Sequence, residues 1–236
     1  SAKQEDYDMA YYMIQNAIST EFERHRAIVE REKESLFLRE YEQYTAIAEG
    51  TAEKKAIRNS LQLFSQCIYK ITGKKTVILI DEYDVPLENA YFRGFYEKMI
   101  DFIRSLFEAA VKTNQYLHFA VITGCLRISK ESKFTGLNHL NIISVLDKKY
   151  CEHFGFTEQE VLHMMSYYEV ENRFSTMKEW YDGYLFGDAE VYNPWSVIKF
   201  LYDLYSDVNA FPRPYWINTS SNDIIKDLIT RADRET

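Results

Sequence analysis

The residues best suited to chemistry in this chain are two adjacent carboxylates, Asp81 and Glu82, which close a strand-forming run from Thr76 to Ile80. An unalternated TVILI run suits a parallel strand buried on both faces. The acids then stand at its carboxyl end, where open α/β sheets place their ligands. An aspartate there can hold Mg²⁺, usually through water, and a neighbouring glutamate can polarise a water for attack on a γ-phosphate. That is the layout of a Walker B segment. The same residues also fit a buried strand with two acids in the following turn, and the stretch by itself leaves both readings open.

The motif that would grip the phosphates is not in the chain. No G-x-x-x-x-G-K-[S/T] occurs in the 236 residues, and the eight glycines, at 50, 73, 94, 124, 136, 155, 183 and 187, form no phosphate-cradling loop. Gly73-Lys74-Lys75-Thr76 has suitable residue types but leads into a strand, whereas a P-loop follows a strand and opens a helix. Two explanations stand: a nucleotide-binding fold that has lost its phosphate grip, or a piece of a longer protein whose P-loop lies upstream of Ser1.

The elements that must position the acids can be read from periodicity. From Asp6 to about Tyr44 the pattern is helical, and its interspersed opposite charges predict one long exposed helix or two, laced by pairs four residues apart. Gly50-Thr51 breaks it. Thr51 is expected to cap a helix running through Ile57, Leu61, Phe64 and Ile68 to Gly73. After the TVILI strand, Tyr83 to Tyr91 reads as a loop containing Pro86, and Phe92 to Thr113 as an amphipathic helix. His118 to Thr123 is a second unalternated β run. Strand, helix and strand make a βαβ unit with an expected right-handed crossover, so both strand ends share one sheet edge. That places Thr123, and Arg127 beyond it, near Asp81 and Glu82. Thr123 can sense a γ-phosphate there, or simply close the strand by bonding to backbone.

Leu140 to Val145 is predicted to be a third short strand. Thr157-Glu158-Gln159-Glu160 is a helix start, three or so helices follow with breaks at Asp182-Gly183 and Gly187-Asp188, and Asn193-Pro194 opens another helix. The tail, YWINTSSNDIIKDLI, ends in an amphipathic segment. The expected fold class is therefore α/β: a mainly parallel sheet flanked by helices, a P-loop NTPase-like core lacking its first strands, with a helical C-terminal part. The division expected is residues 1–150 for the partial core and 151–236 for the helical subdomain.

Composition narrows the alternatives. Hydrophobic residues at 46% and charged residues at 27% describe an ordinary soluble globular protein. No apolar run reaches membrane-spanning length and no signal-peptide pattern opens the chain, so a cytoplasmic location and no membrane partner are expected. The 19 Tyr and 15 Phe fall mostly at helical spacing and read as packing residues. A net charge of −8 argues against a phosphate-tracking nucleic-acid surface, with Arg127 to Lys133 (RISKESK) a local basic exception that reads as a solvated loop. Cys67, Cys125 and Cys151 are widely spaced and fit reduced, mostly buried thiols. Cys151-Glu152-His153 lacks the second ligand pair a metal site needs.

On these residues the chain resembles the bacterial and archaeal AAA-ATPase-like family, grouped with STAND-like P-loop ATPases and often fused to a restriction-endonuclease-like nuclease domain. The carrying stretches are VILIDEYDVPLENA (77–90), ITGCLRISKESKFTGLNHL (122–140), FGFTEQEV (154–161), WYDGYLFG (180–187), YNPWSVIKFL (192–201) and YWINTSSNDII (215–225), in the family's order. In that family the P-loop and a further strand precede the point where this sequence begins. The resemblance thus implies an N-terminally truncated ATPase domain, with ATP and Mg²⁺ as cofactors of the full-length parent. It implies Asp81 and Glu82 as Walker B, with Asp81 on the metal side and Glu82 as base. It further implies Thr123 as sensor and Arg127 as a cation beside the nucleotide or at a subunit boundary. Asp84 and Asn138 match pattern positions without an assigned role. Any nucleic-acid partner would come only through a downstream nuclease domain, and an exposed sheet edge would favour pairing with a second copy. A non-catalytic scaffold with an ATPase-like fold is the alternative. A third reading, that this chain is itself a nuclease, needs Glu-x-Lys on a strand, but Glu53-Lys54-Lys55 falls in a predicted helix and Glu131-Ser132-Lys133 in a loop.

Overall fold

The computed structural model describes residues 6–112, 114–125 and 140–216. The chain divides into two compact units, Ser1–Leu140 and Asn141–Thr236. It is an α/β protein, mostly helical, with a small parallel sheet in the first unit.

The charged N-terminal stretch does not stay one helix. It breaks into α1 (Tyr7–Arg24), α2 (Arg26–Arg31) and α3 (Leu38–Ala48). Asp6 caps α1 by accepting the Met9 amide at 2.9 Å. The turn between α2 and α3 is needed to bring Phe22 of α1 beside Tyr44 of α3, with ring centroids 4.8 Å apart and the Tyr44 hydroxyl donating to the Phe22 carbonyl at 2.6 Å. The expected Thr51-capped helix also divides, into α4 (Lys54–Arg58) and α5 (Ser60–Thr72). Its N-cap is Glu53, because the Thr51 hydroxyl turns back to the Ala46 carbonyl instead. Gly73 ends α5 as expected, in the left-handed conformation that a side chain would resist.

α3 and α5 are joined by a half-hidden ion pair. Lys70 Nζ donates to both Glu40 oxygens, at 2.6 and 2.8 Å, and sits 3.8 Å from the Phe37 ring centroid. The free thiol of Cys67 is buried nearby, and burial pushes its pKa up to about 12. Cys125, by contrast, is exposed and Cys151 half-exposed, so the cysteines are not the mostly buried set expected.

Strand β1 (Thr76–Ile80) pairs in parallel with β2 (Leu117–Ile122), Val77 opposite Phe119 through Ile80 opposite Ile122. Between them run α6 (Val85–Arg93), α7 (Tyr96–Phe107) and a π-helical turn at Glu108–Lys112. The segment read as a loop around Pro86 is thus α6, since proline fits the first turn of a helix, where its missing N–H is not needed. Gly94, at φ 79°, separates α6 from α7. α7 buries Met99, Ile100, Phe102, Ile103, Leu106 and Phe107.

The strands are not buried on both faces. Ile80 and Ile122 pack on the core, while Val77, Leu79, Phe119 and Val121 on the other face are exposed, Leu79 at 72%. Exposure alternates along β1 and, from Phe119 on, along β2, so apolarity without alternation records side-chain type and not burial.

The predicted third strand at Leu140 to Val145 is irregular chain leading into a turn. Asp147 accepts both the Ser144 amide, at 2.7 Å, and its hydroxyl, at 2.9 Å, a local turn that competes with strand pairing. The second unit continues with α8 (Glu158–Tyr167), α9 (Phe174–Tyr181), a hairpin of β3 (Asp182–Phe186) and β4 (Ala189–Tyr192), and α10 (Pro194–Ser206). Thr157 and Glu160 form the expected capping box of α8, and Asn193 caps α10 by accepting the Ser196 amide at 2.9 Å. The two expected helix breaks are strand β3 and the β3–β4 turn. Gly187, at φ 53° with the Asp147 carbonyl 2.7 Å from where a Cβ would sit, permits that turn. A core of Val161, Met165, Met177, Tyr192, Val197, Phe200 and Leu204 holds the unit together. Among the described residues no helix is long and apolar enough to cross a membrane.

Candidate functional site

Parallel pairing of β1 and β2 puts their carboxyl ends side by side, and the chain is zipped there past the last strand residues. The Thr123 amide donates to the Ile80 carbonyl at 2.8 Å, and the Tyr83 amide donates back to the Thr123 carbonyl at 3.1 Å. This fixes the Thr123 side chain next to Asp81, and its hydroxyl donates to Asp81 Oδ1. The same oxygen accepts the Glu82 amide at 3.1 Å. Three of the four residues expected at the site, Asp81, Glu82 and Thr123, therefore lie at one sheet edge. The fourth, Arg127, lies outside the described residues, as does Asn138.

Asp81 and Glu82 are both exposed. Among the described residues no hydrogen bond or ion pair reaches Asp81 Oδ2 or the Glu82 carboxylate. Glu82 adopts φ 52°, a left-handed backbone that costs a side-chain-bearing residue about 1–2 kcal/mol. The turn brings the chain from the end of β1 directly into α6, and holds Glu82 outward while Tyr83 and Asp84 point inward and are buried, at 6% and 5% exposure.

The inward pair was not assigned a role by sequence reasoning. Asp84 Oδ2 accepts the Cys125 amide at 2.7 Å. Gly124 is wedged between this carboxylate and the Tyr83 ring. A Cβ there would lie 2.5 Å from Tyr83 Cε1 and 2.8 Å from Asp84 Oδ1. The three-residue spacing of Asp81 and Asp84 was visible in DEYD, but nothing in it said that one acid faces solvent and the other the β2 end. The acidity of the site is felt by Cys125: partial burial, then the charges of Asp84, Glu88 and Glu82, raise its thiol pKa.

The donor set suits a hard divalent cation that keeps most of its waters. Mg²⁺ is bound by one or two carboxylates plus water and substrate phosphate oxygens, not by an all-protein cage. Asp81 offers one free carboxylate oxygen and Glu82 stands beside it. Among the described residues no group of three or more His, Cys, Asp or Glu is assembled that could hold a metal without such added ligands. Cys151, Glu152 and His153 form a single 3₁₀ turn in the second unit.

Comparison with known sequences shows the family. The sequence model of the AAA-ATPase-like family, described as predicted AAA-ATPases, matches residues 2–134. The chain belongs to this family. A protein of Azotobacter chroococcum mcd 1, described as an uncharacterised protein in the vnfD 5′ region, is 32% identical over 159 residues. That alignment covers 67% of this chain and 30% of the relative's length. No solved structure matches the chain.

Proposed function

We propose that these residues form the Walker B half of an ATPase site. Its phosphate-gripping half would be supplied by sequence upstream of the 236 residues, which makes this chain an N-terminally truncated piece of its parent. In this reading Asp81 holds Mg²⁺ through water, Glu82 polarises the attacking water, Thr123 reports the state of the γ-phosphate through Asp81, and Arg127 supplies a cation to the nucleotide. ATP and Mg²⁺ are the parent's cofactors, and the bound state switches the C-terminal part and, through it, a downstream effector. The observation that carries the reading is the Thr123 hydroxyl on the Asp81 carboxylate at adjoining parallel strand ends. A sensor needs such a link, since a change at the phosphate must reach the metal side of the site.

The absence of any G-x-x-x-x-G-K-[S/T] in the chain favours a second reading, a non-catalytic interaction scaffold with an ATPase-like fold. Phosphate contacts supply most of the affinity of such sites, and acids without them repel ATP unless a cation intervenes. Calorimetric titration of Mg·ATP into this chain, and into a version extended upstream, separates the two. Binding by the extended chain supports the ATPase; binding by neither supports the scaffold. In an active parent, Glu82→Gln should abolish turnover and leave ATP binding nearly intact, because the amide is close to isosteric but cannot act as a base. Unchanged turnover would refute the base assignment.

A further inference from the structure

The buried acid of the turn has no part in the metal and base roles above, yet it is the carboxylate most tightly built into the site. A buried carboxylate is expensive unless its oxygens are hydrogen-bonded. Asp84, at 5% exposure, directs Oδ2 to the Cys125 amide at 2.7 Å, and its Oδ1 lies against Gly124. The Tyr83 ring closes on Gly124 from the neighbouring position. Thr123, the preceding residue, is bonded through its amide to Ile80 and through its carbonyl to Tyr83. Three successive residues, 123 to 125, are therefore each fixed on the segment 80–84. The contacts at Thr123 belong to the strand ladder, whereas that at Cys125 depends on one side chain.

We infer that Asp84 is a positioning residue: its carboxylate fastens the chain leaving β2 to the turn leaving β1 and so keeps the Thr123 hydroxyl on Asp81. Its consequence for turnover rests on the ATPase reading above; its grip on the Cys125 amide does not. The role requires an acceptor oxygen and not a charge. Asparagine at this position keeps a carbonyl oxygen for the Cys125 amide, and alanine has none. This separates positioning from a direct part in metal binding or proton transfer, for which the amide and the methyl would both fail.

The test compares Asp84→Asn and Asp84→Ala with wild type in the full-length parent. Amide hydrogen exchange is read on the peptide containing Thr123 to Cys125, alongside steady-state Mg-ATPase kinetics. Asp84→Ala should speed exchange of the Cys125 amide and lower kcat by about tenfold with KM for ATP within about twofold. Asp84→Asn should keep the protection and most of kcat. Equal loss of kcat in both variants, or full kcat in Asp84→Ala, overturns the inference. If wild type itself has no turnover, the ATPase reading fails. Exchange alone then decides, and a Cys125 amide still protected in Asp84→Ala overturns the inference. Should Asp84→Ala not fold, Cys125→Pro removes the donor and leaves the acid in place; it must reproduce the kcat loss, and full kcat there counts against the proposal.

Discussion

Gly124 gives the sharpest stability test of the strand-end geometry. In Gly124→Ala the new methyl would sit 2.5 Å from Tyr83 Cε1, 2.6 Å from Cδ1 and 2.8 Å from Asp84 Oδ1, about 0.9 Å inside ordinary contact at the closest point. The ring has little room to retreat, being 6% exposed and packed edge-on against Phe107 at 6.1 Å. Overpacking of this kind costs about 1–3 kcal/mol, and the stiffer unfolded chain returns about 0.4–1 kcal/mol. A net loss of about 1–2 kcal/mol should lower the urea midpoint of the first unit by roughly 0.5–1 M. The two units can be followed separately, because Trp180, Trp195 and Trp216 all lie in the second. Tryptophan fluorescence should stay at its wild-type midpoint while far-UV circular dichroism shows an earlier phase. Gly183→Ala is the control: nothing lies within 4 Å of its Cβ position, and its midpoint should hold or rise. An unchanged or raised first-unit midpoint in Gly124→Ala would refute the wedge between Tyr83 and Asp84.

Three further outcomes are expected. Lys70→Met leaves the Glu40 carboxylate, 8% exposed, with only the Gln66 amide and the Phe37 N–H as partners among the described residues, and should destabilise the first unit by about 2–3 kcal/mol in urea titration; a neutral result would show that the pair is dispensable. Glu82→Asn should raise stability by about 0.5–1 kcal/mol, since asparagine tolerates φ 52° better than glutamate; a loss would mean that Glu82 makes a stabilising contact. Hydrogen bonds from the Thr157 amide and hydroxyl hold the Glu160 carboxyl below its ordinary range. Because the folded value is the depressed one, its contribution is complete above the unfolded value and is lost as pH falls through the folded value. The fluorescence midpoint of the second unit should fall between about pH 5 and 3, and fall less steeply in Glu160→Gln.

Sequence patterns were enough to bring Asp81, Glu82 and Thr123 to one sheet edge, because each belongs to a contiguous strand-and-end run. TVILIDE and the HFAVIT run each carry a strand and its terminal polar group, and parallel pairing then brings Asp81 to Thr123 without further information. What sequence could not supply was direction. Val77 and Leu79 are as apolar as Ile78 and Ile80, yet one set faces the core and the other does not. The misread elements have local causes of the same kind: Pro86 fits either a loop or a helical first turn, and the Thr51 hydroxyl chose the Ala46 carbonyl over the following amides. Asp147 drew Ser144 into a turn where β propensity favoured a strand. Arg127 lies outside the described residues, so its placement beyond the end of β2 stays an expectation from the strand order and the resemblance.

The three acids of DEYD are sorted by what surrounds them and not by type. Asp81 shares one oxygen with the Thr123 hydroxyl and the Glu82 amide and leaves the other toward solvent, where a hydrated cation can reach it without the protein losing a bond. Glu82 is turned outward by a backbone conformation that glutamate does not favour, and strain of this sort persists only where neighbouring structure enforces it. The enforcement is visible one and two residues on: Tyr83 and Asp84 are pulled inward by Phe107 packing and the Cys125 amide, and with α6 starting at Val85 the chain has no slack to relax Glu82. The outward pair and the inward pair are therefore one device. Loosening Asp84 should release the strain at Glu82 as well as the hold on Thr123, and Asp84→Ala combined with Glu82→Asn should show less than additive changes in stability.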